Sequence, residues 1–254
     1  MDDRLGRRLS SFFGFQQVTN LGHFLGVPFL HNKVPKSTLR FVVDRVHSKL
    51  SSWDARQLSF AGRITLAQPV LLLIPSYFMQ TMMVPIGICD EIERMVRRFV
   101  WGSYNGRSKM ALVSWESVCQ PKHHGGLGLR KLEDHNTSFM MKMGFNIVLN
   151  ASTIGIQVLQ TKYKVSNGLP NKVWPLLREN LVWLVGDGNS IKCWQDSWIP
   201  NCEEIIDNIV SVPPPYPSSG LDRIMWGATS TGTFSLKSAY WRVHEGTLNT
   251  KEGF

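Results

Sequence analysis

The clearest pattern in the chain lies between Pro35 or Ser37 and Trp53. Its apolar positions are Leu39, Val42, Val43, Val46, Leu50 and Trp53. Offsets of three and four residues place them on one face of a helix. Lys36, Arg40, Arg45 and Lys49 fill the other faces. A second helix is predicted from an N-cap at Ser59, through Ile64 and Ala67, to about Ile74. Pro69 would kink it and Pro75 would end it, because proline removes a hydrogen bond and clashes with the preceding turn. A short third helix is expected over Tyr77–Val84. A fourth starts near Asp90, buries Ile92, Met95, Val96 and Phe99, and turns Arg94, Arg97 and Arg98 outward. Gly102 is its expected stop.

Other stretches read differently. "VTNLGHFLGVPFL" (18–30) has β-branched and aromatic residues interrupted by glycine, which predicts one or two short strands. Ser114 suits the cap of a turn or two of helix. "HHGGLGLR" has too much glycine for a regular helix and reads as a tight connector. Helices are expected again over Glu133–Leu149 and Ile154–Tyr163. Residues 181–198 read as a β-hairpin, with "GDGN" as the turn. "SVPPPYPSSG" (211–220) reads as a stiff linker. The fold class is therefore mainly α with minor β: a helical bundle followed by a smaller region that contains a β-hairpin.

Charge adds a second layer. The 254 residues carry a net charge of +9. Residues 1–131 hold 18 Lys/Arg against 8 Asp/Glu, whereas residues 132–254 hold 10 against 11. An anionic partner, if any, belongs with the first half. Lys36, Arg40, Lys49, Arg56, Arg63, Arg94, Arg97, Arg98 and Lys122 are the candidate nucleic-acid-binding residues, with Arg45 beside them. For any one of them a solvated surface charge is the better explanation; the asymmetry applies to the set. Trp53 and Trp101 close helices beside basic residues. They read as core, with base stacking as the alternative.

Catalytic signals are weak. No GxGxxG follows a strand, and there is no P-loop and no HExxH. His123 and His124 lack a Cys or carboxylate partner at ligand spacing. Asp2 and Asp3 lie where chains fray. The four cysteines form no CxxC pair, which fits a reducing, intracellular setting, nuclear or cytoplasmic. The greasiest stretch, Pro69–Pro85, is too short and too interrupted to span a membrane.

Taken in order, "FLGVPF", "KLSSWDARQLSFAGRITLAQPVLLLIPSYFMQ", "IERMVRRFVWG", "ALVSWESVCQPKHHGGLGLRKLEDHN", "VGDGNSIKCWQDSWIP" and "GTFSLKSAYW" resemble the C-terminal part of reverse transcriptases from plant LINE-type (non-LTR) retrotransposons. The resemblance covers nearly the whole chain. It implies an RNA-directed DNA polymerase whose palm carries a metal-binding aspartate pair in a Phe-Ala-Asp-Asp type motif. That motif does not occur in this sequence, so no catalytic or metal residue is carried over, and magnesium is expected only at the palm. By resemblance, residues 1–34 end the palm and 35–108 form a thumb. Residues 109–206 form a connection, 207–220 a linker, and 221–254 the lead-in to a zinc-binding module. The implied partners are an RNA/DNA template–primer and the palm or the rest of the retroelement polypeptide. The alternative expectation is an inert, degraded retroelement remnant.

Overall fold

The computed structural model describes residues 8, 10–14, 23–24, 27–28, 36–55, 57–104, 107–108, 110–149, 173–191 and 220–252. Helices dominate, and strands are short. A 3-10 turn at Lys36–Leu39 leads into α1 (Arg40–Ser51). α2 (Phe60–Met79) and α3 (Ile86–Trp101) complete a three-helix bundle. α4 (Trp115–Cys119), α5 (Leu132–Leu149), α6 (Val173–Glu179) and α7 (Leu236–Glu252) follow. The strands form three antiparallel pairs: β1 (His23–Phe24) with β2 (Val27–Pro28), β3 (Ser103–Tyr104) with β4 (Arg107–Ser108), and β5 (Leu181–Leu184) with β6 (Arg223–Trp226). Among the described residues the fold is mainly α with minor β.

Side-chain contacts fix the directions in the bundle. Arg40, at the start of α1, reaches Glu91 near the start of α3. Trp53, just past the end of α1, lies 5.9 Å from Phe99 near the end of α3. The two helices therefore run the same way. α2 runs against both, because Phe60 at its start meets Trp101 and Phe78 near its end meets Phe41. The periodic face of α1 packs as its spacing predicts, with Leu39, Val42, Val43, Val46 and Leu50 buried. Burying each such side chain stabilises the fold by about 1.5–3 kcal/mol.

The local caps sit where the sequence places them. The Ser59 hydroxyl accepts the Gly62 N–H at 3.1 Å, and the Ser114 hydroxyl accepts that of Ser117 at 3.1 Å. Gly102 stops α3 with φ at +78°, a left-handed conformation that costs glycine least. "HHGGLGLR" is a tight connector. A Cβ on Gly126 would stand 2.0 Å from the Gln120 carbonyl oxygen, so no other residue fits there.

Two expectations are corrected. α2 does not end at Pro75 but continues to Met79, so Tyr77–Val84 is not a separate helix. Pro75 is itself buried, along with Val70 and Leu71 before it and Phe78 and Met79 after it. That packing outweighs the roughly 3 kcal/mol that an interior proline costs. α3 starts at Ile86, a turn before Asp90, with the Pro85 carbonyl accepting the Ile88 and Cys89 N–H groups. Burial of Ile88 and Cys89 draws that extra turn into the helix. β5 pairs with β6, which comes much later in the chain. The "GDGN" loop holds the Asp222 carboxylate, which accepts N–H groups from Gly186 at 2.7 Å, Gly188 at 3.0 Å and Ser190 at 2.8 Å. Desolvation opposes the effect, but these N–H groups keep the Asp222 pKa below the ordinary carboxylate range. The second arm of the expected hairpin (192–198), the expected helix at 154–163 and the linker at 211–219 lie outside the described residues.

The first turn of α5 ties these parts together. The Leu132 N–H donates to the carboxylate of buried Glu93 on α3 at 2.6 Å. The Lys131 N–H donates to the Tyr240 hydroxyl on α7 at 3.0 Å. Asp134 and His244 of α7 form a buried pair, with Oδ2 and Nδ1 2.7 Å apart. His135 Nε2 lies 3.0 Å from Ser76 Oγ on α2. The Asn136 amide clasps Val84 on both sides, accepting its N–H and donating to its carbonyl. Further along α5, Phe145 meets Trp226 of β6 and stacks on Phe234. β6 and the start of α7 thereby join the same core as the bundle.

This turn can be tested at two of its side chains. Asp134→Ala removes the buried carboxylate that pairs with His244 and should cost about 1–3 kcal/mol, read as a lower urea midpoint; an unchanged midpoint would contradict the pairing. Burial, aided by the charge of Arg130, pushes the His135 pKa down from 6.5 to about 4. Between those values the unfolded chain binds the proton that the folded chain refuses. Stability conferred by neutral His135 is thus complete above pH 6.5 and declines toward pH 4, by at most about 3 kcal/mol. Urea titrations of wild type and His135→Gln should diverge over that window, with the variant less acid-sensitive.

Candidate nucleic-acid interface

The basic residues of α1 and α3 separate into two groups. Arg45 and Lys49 are one helical turn apart on α1, and both are exposed. Arg94 and Arg98 have the same spacing on α3 and are likewise exposed. Residues four apart share a helix face. Among the described residues none of these four has a carboxylate within ion-pair distance. Lys49 Nζ lies 5.2 Å from the centre of the Trp53 ring. Arg45, Lys49 and Trp53 line a groove together with Leu66, Val70 and Leu73 of α2.

The second group is already engaged. Arg40 Nη1 contacts Glu91 at 2.8 Å, and its Nε lies 3.7 Å from Asp44. Arg97 bonds the Glu93 carbonyl through Nε, lies 4.0 Å from the Glu93 carboxylate, and covers the Trp115 ring at 5.5 Å. Burial raises the Glu93 pKa, while the Leu132 N–H and the charges of Arg97 and Lys131 pull it back. Arg97 therefore serves a buried carboxylate. Arg63 is half-buried over Gly102, where a Cβ would stand 2.4 Å from its guanidinium. The Arg63 Nε is buried without a hydrogen-bond partner. The cation lies at the C-terminal end of α3, where the helix dipole favours positive charge.

Of the remaining predicted residues, Lys36 opens the 3-10 turn before α1, and Lys122 is exposed on a 3-10 turn (Lys122–His124) after α4. Arg56 lies outside the described residues. Trp53 and Trp101 are half-buried and pack against the core. His123 and His124 are exposed, with ring centres 4.5 Å apart. Among the described residues no group of three His, Cys, Asp or Glu is placed to hold a metal ion, and no helix is long and apolar enough to cross a membrane.

Sequence reasoning assigned no role to "KLEDHN" (131–136), which joins α5 to α2, α3, α7 and the α2–α3 connection through the N–H groups of Lys131 and Leu132 and the side chains of Asp134, His135 and Asn136. A usable signal was present: a polar run opens an otherwise largely apolar helix, and buried polar groups require partners. It also passed over Arg242 on α7, which is exposed next to part-exposed Trp241.

No protein-family model matches this chain. It is similar to the Arabidopsis thaliana protein named "Putative ribonuclease H protein At1g65750", with 27% identity over an alignment of 271 residues that covers 84% of this chain and 44% of that protein. It is also similar to the Arabidopsis thaliana "Uncharacterized mitochondrial protein AtMg00310", with 26% identity over 144 residues, covering 50% of this chain and 94% of that protein. The chain thus spans less than half the length of the first of these relatives.

Proposed function

We propose that this chain is the thumb and connection portion of a retroelement-encoded reverse transcriptase, and that α1 and α3 grip the template–primer. Three lines support the reading: the ordered motifs that resemble non-LTR reverse transcriptases, the similarity to a protein named for ribonuclease H, and the excess of basic charge in the first half. The observation that carries it is the pair of i,i+4 cations without a carboxylate partner on each of two helices that run the same way, Arg45 with Lys49 and Arg94 with Arg98.

A polymerase must hold a duplex whose sequence changes with every template. Base-edge contacts would impose a sequence, so the grip falls to phosphates. Each phosphate neutralised by Lys or Arg releases a counterion, which makes the grip sensitive to salt. The apolar side of the same helices holds the bundle rigid, so the cations keep their spacing as the duplex moves. Arg40 and Arg97 contribute less, because carboxylates already hold them.

The test is binding of a fluorescein-labelled RNA–DNA hybrid by anisotropy across a KCl series. We expect log K to fall linearly with log salt. The double variant Arg94→Ala/Arg98→Ala should lose about 2 units of that slope, at ~0.9 per phosphate contact, while Arg40→Ala changes it by less. Binding without salt dependence, or an unchanged slope in the double variant, would refute the reading.

A further inference from the structure

The motif "GTFSLKSAYW" is partly used by the core. Phe234 stacks on Phe145. The Ser235 hydroxyl accepts the Ser238 N–H at 3.1 Å. The Ser238 hydroxyl accepts the Trp226 indole N–H at 2.9 Å. Ala239 and Tyr240 are fully buried. Trp241 is used differently. It is part-exposed, touches Tyr240 and His244 edge-on, and walls an open cleft of about 510 Å³ between α7 and the turn after β6. Arg242 and Glu245 share that cleft with the hydroxyl residues Thr229, Ser230 and Ser238. Arg242 forms no ion pair among the described residues, so its charge is open to a ligand.

We propose that this cleft binds one nucleotide of a single-stranded nucleic acid, with the base stacked on Trp241 and a phosphate on Arg242. The aromatic and charged lining groups have matching partners on a nucleotide. An indole face takes any base, because every base has a π-face. A guanidinium fork suits phosphate. The Glu245 carboxylate accepts hydrogen bonds from a base amino or imino group, or from a sugar hydroxyl, and the Ser230 hydroxyl serves either part, whereas those of Ser238 and Thr229 are held by Trp226, Ser235 and Thr233. The size falls within the range of small-ligand clefts, about 300–1,000 Å³. A paired base has both faces stacked within its own helix, so the ligand is a single strand and not the duplex proposed for α1 and α3. The two sites use different helices, and either proposal stands if the other fails.

The test uses the full 254-residue chain with two labelled probes: hexameric oligo(dT), and an abasic deoxyribose-phosphate strand of the same length. We expect oligo(dT) to bind with quenching of tryptophan emission, and the abasic strand to bind at least about tenfold more weakly without quenching. Trp241→Ala should weaken oligo(dT) binding by about tenfold, and Trp241→Phe should keep part of the affinity. Arg242→Gln, at an exposed position outside the core, should weaken binding and lower the salt slope by about one; it decides the question if Trp241→Ala does not fold. Equal affinity for the two strands would overturn the proposal. So would unchanged oligo(dT) affinity in a folded Trp241→Ala or in Arg242→Gln.

Discussion

The N-terminal turn of α5 is where the separate parts of this molecule are tied to one another. A helix begins with four N–H groups that have no partner in the helix. Here the N–H of Leu132 is met by a carboxylate from α3, and the N–H just before it by a phenol from α7. The next residues reach out in turn: Asp134 to α7, His135 to α2, and Asn136 to the connection between α2 and α3. Nearly all of these groups are buried, and a buried polar group left without a partner costs more than a bond to one contributes. The arrangement therefore favours having all of its contacts in place at once, and it sets the positions of three helices.

That constraint shapes what the basic residues can do. Glu93 is needed at the start of α5, and burying it calls for a nearby cation. Arg97, one turn along α3, supplies it. One side of α3 thus belongs to the interior, while Arg94 and Arg98 occupy the solvent side. Arg40 makes a comparable link between α1 and α3 through Glu91, whereas Arg45 and Lys49 stay at the rim of the α1–α2 groove. Residues that look alike in sequence are divided by their neighbours into those that hold the bundle together and those that face outward.

Sequence alone determined what depends on near neighbours. The buried face of α1 follows from spacing along one helix. The Ser59 and Ser114 caps depend on a hydroxyl three residues from an unsatisfied N–H, and the Gly102 stop on a left-handed conformation that other residues adopt poorly. Interactions of this kind act over a single turn, so they are legible in the order of residues.

What depended on distant partners was decided by tertiary structure. Helix continuation through Pro75 rests on burial of the residues around it in the bundle core, which local propensity does not register. Among the described residues β5 pairs with a strand from beyond residue 220, where the Asp222 carboxylate also settles among the N–H groups of the "GDGN" loop, and no short-range rule selects that strand. The division of Arg94 and Arg98 from Arg97 depends on a carboxylate that is buried only because α5 arrives beside it. In each case the deciding energy is burial or pairing between groups far apart in the chain, and such energy exists only once the chain has folded.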